Sequence, residues 1–257
     1  MIELFECDPA DGKFHVLALS GGHDSTVLGE LLTLHEPRVY NFVCTPTGDE
    51  LPEMFAHWRM LGERWGRRVI PIMETSLRNE ILNENRLPNF RERFCTRNIK
   101  IKPYRRVLML LAAAGPVVSY VGLRADEEGR AGGAYDDIDG VTMRFPLREW
   151  QMDDAKVLAT LHQVGIVCPD RTDCARCYHQ RIGEWYELWL NHPDLFDSAI
   201  ADEERVGGTF RTPGRDTWPT ALKDMKADFA AGRVPTTSLN RLKRERMQSG
   251  ACRVCSL

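Results

Sequence analysis

The chain has 257 residues, with 34 Lys and Arg against 37 Asp and Glu, for a formal net charge of −3. Hydrophobic residues make up 43% and charged residues 28%, close to globular averages, which excludes a disordered chain or a fibre. No apolar run approaches the ~20 residues that span a bilayer, and the acidic start lacks the basic-then-apolar order of a secretory leader, so a cytoplasmic protein is expected.

Residues 14–19 form a short apolar run that stops at Ser20-Gly21-Gly22, a buried strand ending in a tight turn. From Asp24, the spacing of Val27, Leu28, Leu31 and Leu32 predicts a helix until Pro37. A second strand is expected over 38–44, a helix over 52–65 and a third strand over 69–73. A helix follows at 99–114, a fourth strand at 117–122, a fifth at 141–145 and a helix at 153–164. Strands alternating with helices imply a Rossmann-like α/β core, a parallel sheet covered by helices on both faces, with ligands beyond the carboxyl ends of the strands. This core is expected over residues 1–165. Residues 166–257 read as a smaller, cysteine-rich, mainly helical appendage with a mobile tail. Its Trp-rich helix spans 182–190, and core packing accounts for Trp185, Tyr186 and Trp189.

The turn Ser20-Gly21-Gly22-His23-Asp24-Ser25-Thr26 joins a strand to a helix. Two glycines permit a tight turn that presents backbone N–H groups, the helix start adds partial positive charge, and Ser25 and Thr26 add hydroxyls. Asp24 is placed to cap the helix or to hold Mg²⁺. Together these residues make a pyrophosphate cradle; on the motif alone, an ordinary strand–turn–helix with an Asp cap is the other reading. The Lys of a Walker loop is absent.

The turn resembles the Ser-Gly-Gly-x-Asp-Ser loop of the ATP pyrophosphatase (PP-loop), or adenine nucleotide alpha-hydrolase, superfamily. Further segments, in order, resemble its phosphoadenylylsulfate (PAPS) reductase branch. These are Thr47-Gly48-Asp49-Glu50-Leu51-Pro52-Glu53, the Cys95-to-Pro103 segment with its Lys100-Ile101-Lys102-Pro103, the loop Gly122-Leu123-Arg124-Ala125-Asp126-Glu127-Glu128-Gly129-Arg130, and Pro146-Leu147-Arg148-Glu149-Trp150. The resemblance covers roughly residues 14–180. It implies an adenine-nucleotide site at Ser20, Gly21, Gly22, His23, Asp24, Ser25, Thr26, Thr47, Gly48, Lys100, Arg124 and Arg130, with ATP or a related nucleotide and Mg²⁺. Two departures matter. The full double-glycine loop is that of ATP-consuming members, and the reductases' C-terminal Glu-Cys-Gly-x-His motif is absent.

Eight cysteines accompany this pattern. Cys95 lies 79 positions before Cys174 of Cys174-Ala175-Arg176-Cys177, and Cys168 precedes that pair. Four soft thiolates suit an iron–sulfur cluster or zinc. In the family's iron–sulfur reductases a Cys-Cys pair stands about this far ahead of a Cys-x-x-Cys. Here Phe94 replaces the first of that pair, and Cys168 would restore the count. A 4Fe–4S cluster on Cys95, Cys168, Cys174 and Cys177 is therefore expected, with zinc, metal-free cysteines, or a set using Cys252 or Cys255 in place of Cys95 as alternatives. Cys252 and Cys255, beside Arg253, are candidates for a redox or persulfide-carrying pair, and with Asp24 they are the expected catalytic residues. Cys7 and Cys44 read as small buried hydrophobes.

Residues 91–106 hold seven basic residues and one acidic one. Apart from Arg124 and Arg130 at the ligand edge, the basic residues read as a solvated helix face. Three functions fit: ATP-dependent sulfur transfer, sulfonucleotide reduction with release of sulfite, or a nucleotide- and cluster-binding sensor without turnover. Expected partners are the nucleotide, a tRNA or DNA sulfur acceptor, a thiol or cysteine-desulfurase-type donor, and a second copy of the chain in a homodimer.

Overall fold

The computed structural model describes residues 2–127, 129–130, 135–214 and 216–236. Its strands are β1 (Phe14–Ala18), β2 (Tyr40–Cys44), β3 (Val69–Pro71), β4 (Val117–Tyr120) and β5 (Val141–Arg144). All pair in parallel, in the order β3-β2-β1-β4-β5. β1 is central: His15 pairs with Tyr40 on one side and Val118 on the other. The chain runs outward through β2 and β3, then crosses back to β4 and β5. The strand order thus reverses between β1 and β4, and the crevice beyond their carboxyl ends is where a sheet of this kind takes its ligand.

The helices are α1 (His23–His35), α2 (Pro52–Arg64), α3 (Leu77–Glu84), α4 (Lys102–Ala112), α5 (Pro146–Glu149), α6 (Asp154–Val164), α7 (Ile182–Asn191), α8 (Pro193–Val206) and α9 (Leu222–Ala230). Successive strand side chains point to opposite faces, so Leu17 joins one core and its neighbour Val16 the other. The Leu17 face packs against Val27, Leu28 and Leu32 of α1, Leu61 of α2 and Leu161 of α6. The Val16 face packs against Val107, Leu108 and Leu111 of α4. A third cluster lies off the sheet. It joins Trp185 and Leu188 of α7, Phe196 of α8 and Phe229 of α9 to Leu77 and Ile81 of α3 and to Phe94 and Ile99. This last core draws on residues from both sides of position 165. Trp185 is fully buried against Phe196 and Phe210, as core packing requires.

Four helices are additions to the sequence expectation: α3, the short α5, α8 and α9. The helix expected over 99–114 begins earlier and differently, as a π-helix at Thr96–Ile101 that passes into α4. Pro103 has no N–H to return to the carbonyl four residues back, which removes one α-type bond where the turn widens. Cys44 is buried as expected, but Cys7 is exposed, in the short loop ahead of β1. No helix among the described residues is long and apolar enough to cross a membrane.

Candidate nucleotide site and thiol cavity

β1 runs into the glycine turn at the centre of the sheet. Gly21 sits at φ +83°, and a Cβ there would lie 2.7 Å from both Met54 Cε and Trp58 Nε1 of α2. Only glycine suits such a position. Ser25 folds the turn back on itself: its Oγ accepts from Gly21 N–H at 3.1 Å, donates to Gly22 O at 3.2 Å and lies 3.0 Å from Ser20 Oγ. Ser20 Oγ accepts in turn from Gly22 N–H at 3.3 Å. Helix α1 starts from Gly22 without any side-chain cap, leaving its first amides and the positive end of its dipole for an anion.

Two further polar atoms flank this turn. His23 Nδ1 and the Trp58 Nε1–H donor are buried with no hydrogen-bond partner among the described residues. Orphaned buried polar atoms are rare in native proteins and call for a partner. Burial holds the His23 imidazole below its ordinary pKa, assisted by Arg124. Burial also pushes His57 down to about 4, so the ring is neutral as its Nε2 meets Thr26 Oγ1 at 3.3 Å. Met54, His57, Trp58 and Leu61 share the buried face of α2. Their spacing reads in sequence only as a core stripe, which is why His57 and Trp58 escape motif analysis.

The loop after β4 closes the site from the other side. A Cβ on Gly122 would lie 3.1 Å from Asp24 C and Ser25 N, so this backbone lies directly on the first turn of α1. Arg124 Nη1 donates to Asp24 Oδ1 and Oδ2 at 3.1 and 3.0 Å, and its Nε to Asp126 Oδ1 at 2.9 Å. Asp154 lies 3.7 Å from the same guanidinium, and Glu127 accepts from the Arg124 backbone N–H at 3.2 Å. Four carboxylates thus surround one buried cation. Burial, with Glu127 and Asp154 adding to it, lifts Asp24 to about 7 against the pull of Arg124. The surplus negative charge is spent on Arg124, and no three of these carboxylates converge within 4.8 Å of one another. Arg130 pairs with Glu127. Arg148, from the Pro-Leu-x-x-Trp motif, pins the loop by donating to Glu127 O at 2.7 Å and Arg130 O at 2.5 Å.

The four cysteines expected to act together are divided. Cys95, Cys174 and Cys177 line one cavity with Thr47, Thr96 and Lys100. Cys168 instead packs against the α1 side of the sheet, hydrogen-bonds with Thr26 and lies near Asp24; burial pushes its thiol up to about 11. Gly165, left-handed at φ +69°, ends α6 and starts the segment that leaves Cys168 there. Cys252 and Cys255 lie outside the described residues.

The cavity is assembled by the loop after β2. Ala175 N–H donates to Asp49 O at 2.7 Å, Arg176 N–H to Asp49 Oδ2 at 2.9 Å and Arg176 Nε to Asp49 Oδ1 at 2.8 Å; the same guanidinium pairs with Asp202 of α8. Within that loop the Glu50 carboxylate gathers Thr47 N–H at 2.6 Å, Thr47 Oγ1–H at 2.7 Å and Gly48 N–H at 3.0 Å. Thr47 Oγ1 is also 3.2 Å from Cys174 Sγ. Desolvation raises the Cys174 thiol well above its ordinary range, opposed by Lys100. Cys95 is likewise raised by burial and lowered by Lys100. Tetrahedral zinc brings thiolates to about 3.8 Å of one another, from Zn–S bonds of about 2.3 Å. No three of the described cysteines approach that closely, and the one such cluster of metal-ligating side chains, Asp8, Asp11 and His15, lies elsewhere. Of the four cysteines expected to hold a cluster, three share the lining of this cavity and Cys168 does not.

A glycine turn between β1 and α1, at the reversal point of a 3-2-1-4-5 parallel sheet, defines an adenine nucleotide alpha-hydrolase-like protein of the PP-loop kind. The sequence profile of the phosphoadenosine phosphosulfate reductase domain matches residues 15–168, and the chain belongs to that family. No curated protein matches the chain. Among solved structures, it is similar to the phosphoadenylyl-sulfate (PAPS) reductase of Candida auris in its phosphate complex. The two are 14% identical with a TM-score of 0.46, over 60% of this chain and 74% of that one.

Proposed function

We propose that the chain binds ATP, or a closely related adenine nucleotide, at residues 20–26 and uses it to drive sulfur transfer. The uncapped start of α1, beside the unsatisfied Trp58 Nε1–H and the unpartnered His23 Nδ1, carries this reading. The free amides of the first turn of α1 hold the β- and γ-phosphates, and Asp24 is the residue that would offer an oxygen to Mg²⁺. An acceptor oxygen attacks the α-phosphorus, the bond to the bridging oxygen breaks, and pyrophosphate leaves into the cradle. Fixed N–H donors meet the charge that develops on the phosphoryl oxygens, so little reorganisation is needed at the moment of reaction. A sulfur nucleophile then displaces AMP from the adenylated acceptor.

Cys95, Cys174 and Cys177 are the residues that would hold an iron–sulfur cluster, which supplies soft-ligand sulfur or electron chemistry when bound. Lys100 lends the same cavity positive charge. The π-helix matters here: its wider turn stacks residues five apart, which sets Lys100 over Cys95.

The family match favours a second reading, in which a sulfonucleotide replaces ATP and a cysteine thiolate attacks its sulfate sulfur to release sulfite. Product analysis separates the two. The first reading expects pyrophosphate from ATP with no sulfite; sulfite from PAPS or adenylylsulfate, with no pyrophosphate from ATP, would establish the second. Ser25→Ala, which unties the turn, is expected to weaken nucleotide binding about tenfold by calorimetry, one hydrogen-bond-sized loss. Unchanged binding would place the nucleotide elsewhere.

A further inference from the structure

The basic residues of the segment ahead of α4 are largely solvent-facing, and some of them also line a cavity. Arg105 and Arg106 do point outward from α4, where they pair with Asp137 and Glu74. Arg91, Arg93 and Arg97 instead join Arg86 around a cavity of about 410 Å³, with Phe90 and Phe94 in its wall. The acid that lines it, Glu92, is taken by Arg86 at 2.5 Å. Arg91 and Arg97 are exposed and have no ion pair among the described residues. Arg86 is held by Glu84 as well as by Glu92, so the positive surplus facing this space rests on Arg91 and Arg97, a site for a partner with more than one negative charge.

Phe90 adds a second kind of information. It is 54% exposed, yet its ring is fixed edge-on against Tyr178 at 5.2 Å and His179 at 4.7 Å. A rigid, solvent-facing ring beside a row of guanidinium groups matches a polymer that alternates phosphates with flat bases. An acidic peptide would use the charges but not the ring. The cleft also leads somewhere: Thr96 lines both it and the cavity of Cys95, Cys174 and Cys177.

We propose that this cleft is a docking site for single-stranded nucleic acid, with phosphates on Arg91 and Arg97 and a base against Phe90, directing the strand toward the thiol cavity. The role of that strand as sulfur acceptor rests on the sulfur-transfer reading above; its binding does not. With a net charge of −3 over the whole chain, attraction is confined to this patch, so affinity depends on few phosphates and its salt slope is correspondingly shallow.

The test is fluorescence anisotropy of the intact protein with short labelled single strands of RNA and of DNA, titrated at several salt concentrations. Arg91→Glu/Arg97→Glu is expected to weaken binding at least tenfold and to reduce the slope of log affinity against log salt by about 1.4, at roughly 0.7 for each phosphate no longer neutralised. Phe90→Ala is expected to weaken binding about tenfold with the salt slope unchanged, as loss of one stacked base implies. A preference for RNA over DNA of the same sequence would identify the 2′-hydroxyl as part of the recognition, and equal affinity would identify phosphate and base alone; either supports the site. Undiminished binding by the Arg91/Arg97 variant, or displacement of the strand by polyglutamate at equal charge concentration, would overturn it. ATP binding by the same variant, followed by calorimetry, is expected to match the parent. Loss of ATP binding in Ser25→Ala with strand binding intact keeps the two proposals separable.

Discussion

Asp24 sits under opposing electrostatic demands. It is buried beside one guanidinium and three other carboxylates, and its pKa stands near 7 where an unfolded aspartate titrates near 3.8. Between those two values the folded state holds a proton that the unfolded state has released. Stability attributable to this group is therefore full below about pH 4, falls as pH rises toward 7 and is level above. Asp24→Asn removes the titration. The variant's melting temperature minus the parent's is expected to climb between pH 4 and 8, each kcal/mol appearing as about 2–4 °C. A difference that stays flat across this range would show that Arg124 keeps Asp24 ionised throughout. The Ser-Gly-Gly-x-Asp-Ser pattern displays Asp24 in the sequence; its carboxylate neighbours come from loops about 100 residues later and are invisible until the chain folds.

At the scale of elements, polar side chains stitch what periodicity alone leaves loose. Glu203 of α8 accepts from the backbone N–H of Phe210 at 2.8 Å and of Leu222 at 2.7 Å, tying the intervening loop and the start of α9 to α8. Glu203→Ala leaves both buried N–H groups without a partner, at about 1–3 kcal/mol each. Urea denaturation is expected to show a loss of at least 2 kcal/mol, whereas Glu204→Ala, on an exposed neighbour, is expected to change stability by less than about 0.5 kcal/mol. Equal effects would mean that these bonds are replaced by water. The contrast between β1–α1 and α8–α9 also explains what could be read in advance. The β1 run and the leucine spacing of α1 are strong because the element is buried on nearly every side. In α3 only Leu77, Glu80 and Ile81 are buried, and α9 buries only Leu222, Met225 and Phe229, too few apolar positions for the spacing to stand out. The π-helix was unreadable for another reason: its residues Thr-Arg-Asn-Ile-Lys-Ile differ in no compositional way from an α-helical turn.

For the molecule as a whole, the cysteines show how far sequence spacing reaches. Cys95 and Cys174, 79 positions apart, do meet in one cavity because α3 and the π-helix pack against the α7–α9 cluster. Cys168, six positions before Cys174, does not join them, since the chain leaves α6 on the far side of the nucleotide turn. Nearness in sequence was the poorer guide. Accordingly, Cys174→Ser is expected to abolish iron in anaerobically purified protein and Cys168→Ser to leave it unchanged, as measured by metal analysis and visible absorption. Iron lost equally in both would mean that the segment 166–173 rearranges around a bound cluster.

The Arg176 side chain gives this architecture an unusual kind of unity. Its guanidinium, almost wholly withdrawn from water, is neutralised by Asp49 from the early part of the chain and by Asp202 from the late part. Stranding a charge in the interior is far costlier than never burying it, by about 3–5 kcal/mol when one member of such a set is lost. Separating the two portions breaks this pairing, so the sheet and the outlying helices are expected to melt together, and two transitions in calorimetry would show that they do not.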